Sequence, residues 1–310
     1  MLSKKIILII LFLFVQNNFS NSQINFQIIM KINNQIITSF DLEKERNYLL
    51  ILNPKLIEID ENDLIELAKR SLIKEKIKKD EIIKYKEINL QNTQINDVLV
   101  QIIKNLNFTN QTQLENYLKN FDISINDLKE KIEIENEWKN LIYAKYSKSI
   151  KIDKKNLIEK INKIEKEEFL FEYNLSEIVF IKEQNISLEE QSKNIFRSIE
   201  DIGFENTANL FSISESSKVG GQIGWVKKSN LSNEIIREIN NIKVDAISSP
   251  IQIGNNYLIL KINEVKKIPK EIDKQKELDK MIMIETSKQL DKFSNIFYNK
   301  IKLNSVIREF

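Results

Sequence analysis

Glycine is the residue this chain rations most tightly. There are five in 310 residues, and three of them (Gly220, Gly221 and Gly224) fall inside the run Ser216–Val226, Ser-Ser-Lys-Val-Gly-Gly-Gln-Ile-Gly-Trp-Val. Gly203 and Gly254 flank the run at a distance, and no residue before Gly203 is glycine. Glycine is used where φ must be positive or where a second backbone comes very close. The chain has therefore confined its demanding backbone geometry to one region. A Gly-Gly-x-Ile-Gly-Trp run that ends on apolar residues predicts a tight turn entering a strand. Spacing alone assigns that turn a structural role and no chemistry.

Two absences narrow the function. The chain has no cysteine and no histidine, which removes Ser-His-Asp and Cys-His catalysis, disulfides and most zinc sites. No metal site and no cofactor is expected. Residues 1–22 carry Lys4-Lys5, the apolar run Ile6–Val15, and Ser20-Asn21-Ser22. That layout predicts a secretory signal cleaved after Ser22, with an uncleaved membrane anchor as the alternative. The apolar run is well short of the roughly 20 residues that span a bilayer. Cleavage would remove two lysines and leave 45 basic against 45 acidic residues, so no nucleic-acid partner is expected. At 42% apolar and 30% charged, the composition is that of a folded chain.

Along the chain, Phe26 to Ile37 predicts a hairpin about Asn33-Asn34, and Thr38, Ser39 and Asp41 open a helix that stops at Asn53-Pro54. Helices follow over about 61–79, 94–106 and 112–120, the last opened by Thr112 and Glu115. Ser124 and Asp127 open another that runs past Trp138 to Tyr146. From Phe169 the texture changes. A strand to Ile181, helices over 187–201 and 204–211, the glycine run, a helix over Leu231–Asn241, and strands Ala246–Ile253 and Tyr257–Lys266 give β-α-α-β-α-β-β, an α+β unit. A last helix is expected from Glu271 to Ile301, followed by a short apolar strand at Ser305-Val306-Ile307.

The segments Leu175–Phe180, Phe204–Ser217, Gly220–Val226, Leu231–Ile239, Ile247–Ile251 and Tyr257–Lys261 together resemble a parvulin-type (PpiC-like) peptidyl-prolyl isomerase domain. The helical remainder, with its hairpin-then-helix start, is similar in layout to SurA-type periplasmic chaperones, with one parvulin domain instead of two. The expected fold is therefore multidomain. It has a signal over 1–22, a mostly α-helical chaperone module over 23–165, a parvulin-like domain over 168–268, and a C-terminal helix and strand over 269–310 that fold back on the N-terminal module.

The resemblance also locates a site. In active parvulins two histidines lie beneath the site and an Asp or Cys lies above it. By position these correspond to Glu177, Leu258 and Ser214, while Leu231 and Ile235 correspond to the lining of the proline pocket, at i and i+4 of the expected helix. Trp225 is a further candidate for contact with substrate. Each has a plainer reading: Glu177 as a solvent-facing or salt-bridged carboxylate, Ser214 as a loop hydroxyl bonded to nearby backbone, Leu258, Leu231 and Ile235 as core, and Trp225 as packing for the turn. Rotation about a prolyl bond needs no covalent step, only an apolar pocket and polar groups that favour the twisted amide. Without the histidines, the resemblance implies a periplasmic holdase for unfolded exported polypeptides, outer-membrane proteins among them, with little or no isomerase turnover. An active isomerase and a membrane-tethered folding factor are the alternatives.

Overall fold

The computed structural model describes residues 27–164, 169–268 and 273–310. The expected signal segment and the expected first residues of the last helix, 271–272, lie outside them. Strand β1 (Ile28–Ile32) turns at Asn33, which adopts φ 51°, into β2 (Gln35–Thr38). Thr38 and Asp41 then cap each other's backbone amides and start helix α1 (Ser39–Leu52), as the sequence predicts. Helix α2 (Glu61–Ile82) is followed by α3 (Thr93–Asn105), α4 (Gln111–Lys119) and α5 (Ile125–Tyr146), the last opened by the Ser124–Asp127 capping box. The expected Thr112–Glu115 box does not form. Asn110 caps α4 instead, accepting from Gln113 N at 3.0 Å, while Gln113 Oε1 accepts from Thr109 N. An unforeseen helix α6 (Lys154–Ile164) completes this series.

Strand β3 (Leu170–Ile181) begins the second part of the fold. Helix α7 (Leu188–Phe211) is broken at Gly203, so it is two helices in practice, as expected. The 3₁₀ turn Glu215–Val219 leads through the glycines into β4 (Gln222–Lys227). Helix α8 is only Asn233–Ile239, because Ser232 caps it and leaves Leu231 extended ahead of it (φ −86°, ψ 152°). Leu231 and Ile235 are thus not i and i+4 of one helix. The strand expected over 246–253 shrinks to β5 (Ile251–Ile253), which follows Pro250. A single bridge joins Ile247 to Lys261 upstream, since proline cannot donate to a ladder. Strand β6 (Asn256–Ile268) closes an antiparallel sheet in the order β4-β3-β6-β5.

Helix α9 (Lys274–Leu303) returns to the N-terminal part, and β7 (Ile307–Glu309) pairs with β1 to complete a second sheet, β2-β1-β7. Leu290, Phe293 and Phe297 of α9 pack on Ile134, Trp138 and Ile142 of α5. Trp138 stacks on Phe297 at 5.6 Å, and its indole N–H donates to Ser294 Oγ at 2.8 Å. The fold is therefore mostly helical with one small α+β unit, and α9 completes the helical part. No helix among the described residues is long and apolar enough to cross a membrane.

Candidate functional site

The glycine run does its work against β3. Gly221 has φ 77°, and a Cβ there would sit 2.3 Å from the carbonyl oxygen of Glu177. Glu177 N in turn donates to Gly221 O at 2.8 Å. Beside it, Gly220 takes the left-handed conformation that ends the 3₁₀ turn, with its N–H bonded back to Ser217 O at 3.2 Å. A side chain at Gly221 would thus push β3 away from this loop. Gly221 is what lets the loop's backbone press onto Glu177.

This approach assembles a small polar site. Ser214 Oγ donates to Glu177 Oε1 at 2.6 Å, and Ser216 Oγ donates to the same oxygen at 2.9 Å. The two candidate positions Glu177 and Ser214, 37 residues apart in sequence, are brought into direct contact. Sequence reading missed Ser216, although it stands in the glycine run. Leu258 lies opposite Val179 in the β3–β6 ladder, two residues along β3 from Glu177 and so on the same face of the sheet. It is 3% exposed and packs with Leu231, Leu260 and Ile251, with Ile235 at the edge of that cluster. The pair assigned to the proline pocket is therefore tied into core packing beside the polar site. Trp225 is not part of this group. It pairs with Asn174, on the other face from Tyr173 and the Leu231 cluster, and is 40% exposed with Lys266 Nζ 4.0 Å from its ring.

The loop that carries Ser214 and Ser216 is also anchored to the helical part, through charges that no spacing announces. Lys78 of α2 is 1% exposed, and its ammonium meets both carboxylate oxygens of Glu135 on α5, at 3.0 and 2.7 Å. Lys218, from the 3₁₀ turn, donates to Glu135 at 3.0 Å and pairs with Glu215 at 3.2 Å, while Lys74 of α2 donates to Glu215 at 2.6 Å. Burial alone would raise the Glu135 carboxyl, but Lys218 and Lys78 pull it down to about 2, and the same cations with Lys74 depress Glu215. Burial lowers Lys78 despite its acid neighbours. Asp291 of α9 is raised, chiefly by burial and then by Glu215 and Glu177. Glu215 and Glu177 thus lie within electrostatic reach of α9. Helix α7 adds an apolar seat on either side of its break, with Ile202 and Leu210 against Leu49, Leu56 and Leu64, and Asn206 Nδ2 donates to Lys55 O at 3.2 Å. Among the described residues no group of acidic side chains is arranged to hold a metal ion.

Residues 173–264 match the family model described as "Rotamase: PPIC-type PPIASE domain". This segment is a PPIC-type rotamase domain. Over 68 residues the chain is 43% identical to the periplasmic chaperone PpiD of Buchnera aphidicola subsp. Schizaphis graminum, a match that spans 22% of this chain and 10% of that protein. Among solved structures, a PpiC-type peptidyl-prolyl cis-trans isomerase domain is similar with a TM-score of 0.29 at 20% identity, covering 31% of this chain and 93% of that one. A SurA-like chaperone of Campylobacter jejuni has a TM-score of 0.36 at 15% identity, covering 91% of this chain and 98% of its own. The matched residues hold the glycine run, the short helix α8 and all of the four-stranded sheet except the start of β3 and the end of β6.

Proposed function

We propose that the protein is a periplasmic holdase chaperone for unfolded exported polypeptides, outer-membrane proteins among them. Its helical module (23–165 and 269–310) and its rotamase domain (168–268) act together, and the rotamase domain serves as a binding and structural module with little or no turnover. One observation carries this reading. At the two positions where the resemblance implies histidines, Leu258 is buried hydrocarbon, and Glu177 spends one carboxylate oxygen on two serine hydroxyls. Neither can supply the imidazole chemistry, while Gly221 and the sheet that shape the domain are kept. The partial likeness to a periplasmic chaperone supports the compartment and a chaperone role.

The reading of an active isomerase keeps one specific point in its favour. The Glu177–Ser214–Ser216 cluster places a carboxylate and two hydroxyls at the family's site, and polar groups alone can favour a twisted amide. The two readings are separated by measuring protease-coupled turnover of a proline peptide beside light scattering of an aggregating β-barrel client. Suppressed aggregation at stoichiometric ratios without turnover is expected. Turnover that Leu231→Ala abolishes would transfer the conclusion to the isomerase, and unsuppressed aggregation would end the holdase reading.

A further inference from the structure

Helix α6 and the rotamase domain enclose a cavity of about 340 Å³ that does not include Glu177, Ser214 or Ser216. Its floor is apolar, formed by Ile161 of α6, Leu170 and Phe171 of β3, Leu231 just ahead of α8 and Ile236 within it. Its rim is cationic. Lys160 and Lys163 stand on one side and Lys228 on the other, and among the described residues none of the three ammonium groups has an ion-pair or hydrogen-bond partner. Lys227 is already matched by Glu277 of α9, which among the described residues leaves Glu159 as the one other acid on the wall. A volume near the small end of ligand pockets holds one bulky side chain. Unmatched ammonium groups around such a floor select a carboxylate next to that side chain.

What supplies both is a polypeptide, and the fold offers a track for it. Among the described residues strand β4 pairs only with β3, which leaves its outer edge without a ladder partner, and it ends at Lys227, beside Lys228 on the cavity's wall. An extended segment that adds to this edge places alternate side chains towards the cavity mouth. We propose that this cavity is a client subsite for an extended acidic-apolar segment, with a bulky apolar side chain on the floor and its neighbouring carboxylates against Lys160, Lys163 and Lys228. The proposal rests on the chaperone reading and names the chemistry of the segment that such a client would present.

The test uses the whole chain and three fluorescein-labelled peptides read by anisotropy at low salt: a Phe flanked by Glu, the same Phe flanked by Lys, and an Ala flanked by Glu. The Glu-Phe-Glu peptide is expected to bind at least ten-fold more tightly than either other peptide. Lys160→Glu with Lys163→Glu, one half-buried and one exposed at the cavity rim, should invert the preference between Glu and Lys flanks, and Lys160→Gln with Lys163→Gln should erase it. Equal binding of the three peptides, or a preference unmoved by charge reversal, overturns the subsite. Light scattering of the β-barrel client on the same preparations separates the two proposals. Aggregation suppressed by the wild-type chain while the peptides bind alike leaves the chaperone reading standing and removes the cavity from it.

Discussion

Replacing Glu135 with Gln isolates the charge that holds the rotamase loop to the helical part. The substitution keeps the shape of the side chain and takes the main counter-charge from Lys78, whose side chain is 1% exposed and whose next acid, Glu215, is 3.9 Å away. Stranding a buried charge by removing its partner costs about 3–5 kcal/mol. Two features reduce that here: the Glu135 side chain is 33% exposed, so solvent screens part of the attraction, and Glu215 remains to share the load. A loss of about 2 kcal/mol is expected, read from urea denaturation followed by circular dichroism and by the fluorescence of Trp138, whose ring lies 5.6 Å from the Lys78 ammonium. Adding Lys78→Met removes the stranded charge and should bring the double variant back to within about 1 kcal/mol of wild type, because an apolar replacement of a buried pair is often neutral. The reasoning fails if Glu135→Gln costs under about 0.5 kcal/mol, or if the double variant is no more stable than the single one.

Two further outcomes follow from the same geometry. The Glu135 carboxyl sits at about 2, below its ordinary 4.5, so its contribution is complete above pH 4.5 and is lost as the pH falls towards 2. Thermal melts across that window should show a flatter acid limb for Glu135→Gln than for wild type, and parallel limbs would contradict the assignment. Gly221→Ala would drive a methyl to 2.3 Å from the Glu177 carbonyl oxygen at φ 77° and should cost about 2–4 kcal/mol. Gly224→Ala, at φ 80° with nothing within 4 Å, should cost only about 1 kcal/mol of backbone strain. Chemical denaturation of the two variants side by side reads the steric part as their difference.

What could be read from the sequence was what the chain settles locally. Thr38 with Asp41 and Ser124 with Asp127 cap helices because their donors and acceptors lie within one turn. The glycine run identified its fold because few backbones need three positive φ values within five residues. The misses were local ties. Asn110 competes with Thr112 for the same cap, and Ser232 competes with Leu231 for the helix start, and in both cases the stronger capping residue wins. Pro250 trimmed a strand whose pattern otherwise looked continuous. The site was half visible. Glu177 and Ser214 could be placed by resemblance, but nothing in their neighbourhood announced that Ser216 would join them. The anchor was invisible, because Lys78 and Glu135 are 57 residues apart and Lys218 and Glu135 are 83 apart, each in a lysine- and glutamate-rich surface pattern like many others.

The pairing of β7 with β1 has a consequence in time. Asn33 and Val306 exchange hydrogen bonds across 273 residues, so the N-terminal sheet waits for Ile307–Glu309 to be made. The rotamase sheet draws all its strands from Leu170–Ile268 and has no such wait. Closing the longer loop costs little extra free energy, since the penalty grows only with the logarithm of length. The delay is the larger effect. At about 5–20 residues per second, tens of seconds separate the emergence of β1 from that of its partner. Through that interval β1 shows an open edge, with the exposed side chains of Ile28 and Ile36 beside it. A protein proposed to shield the strands of other chains thus passes through its own synthesis with one strand unshielded.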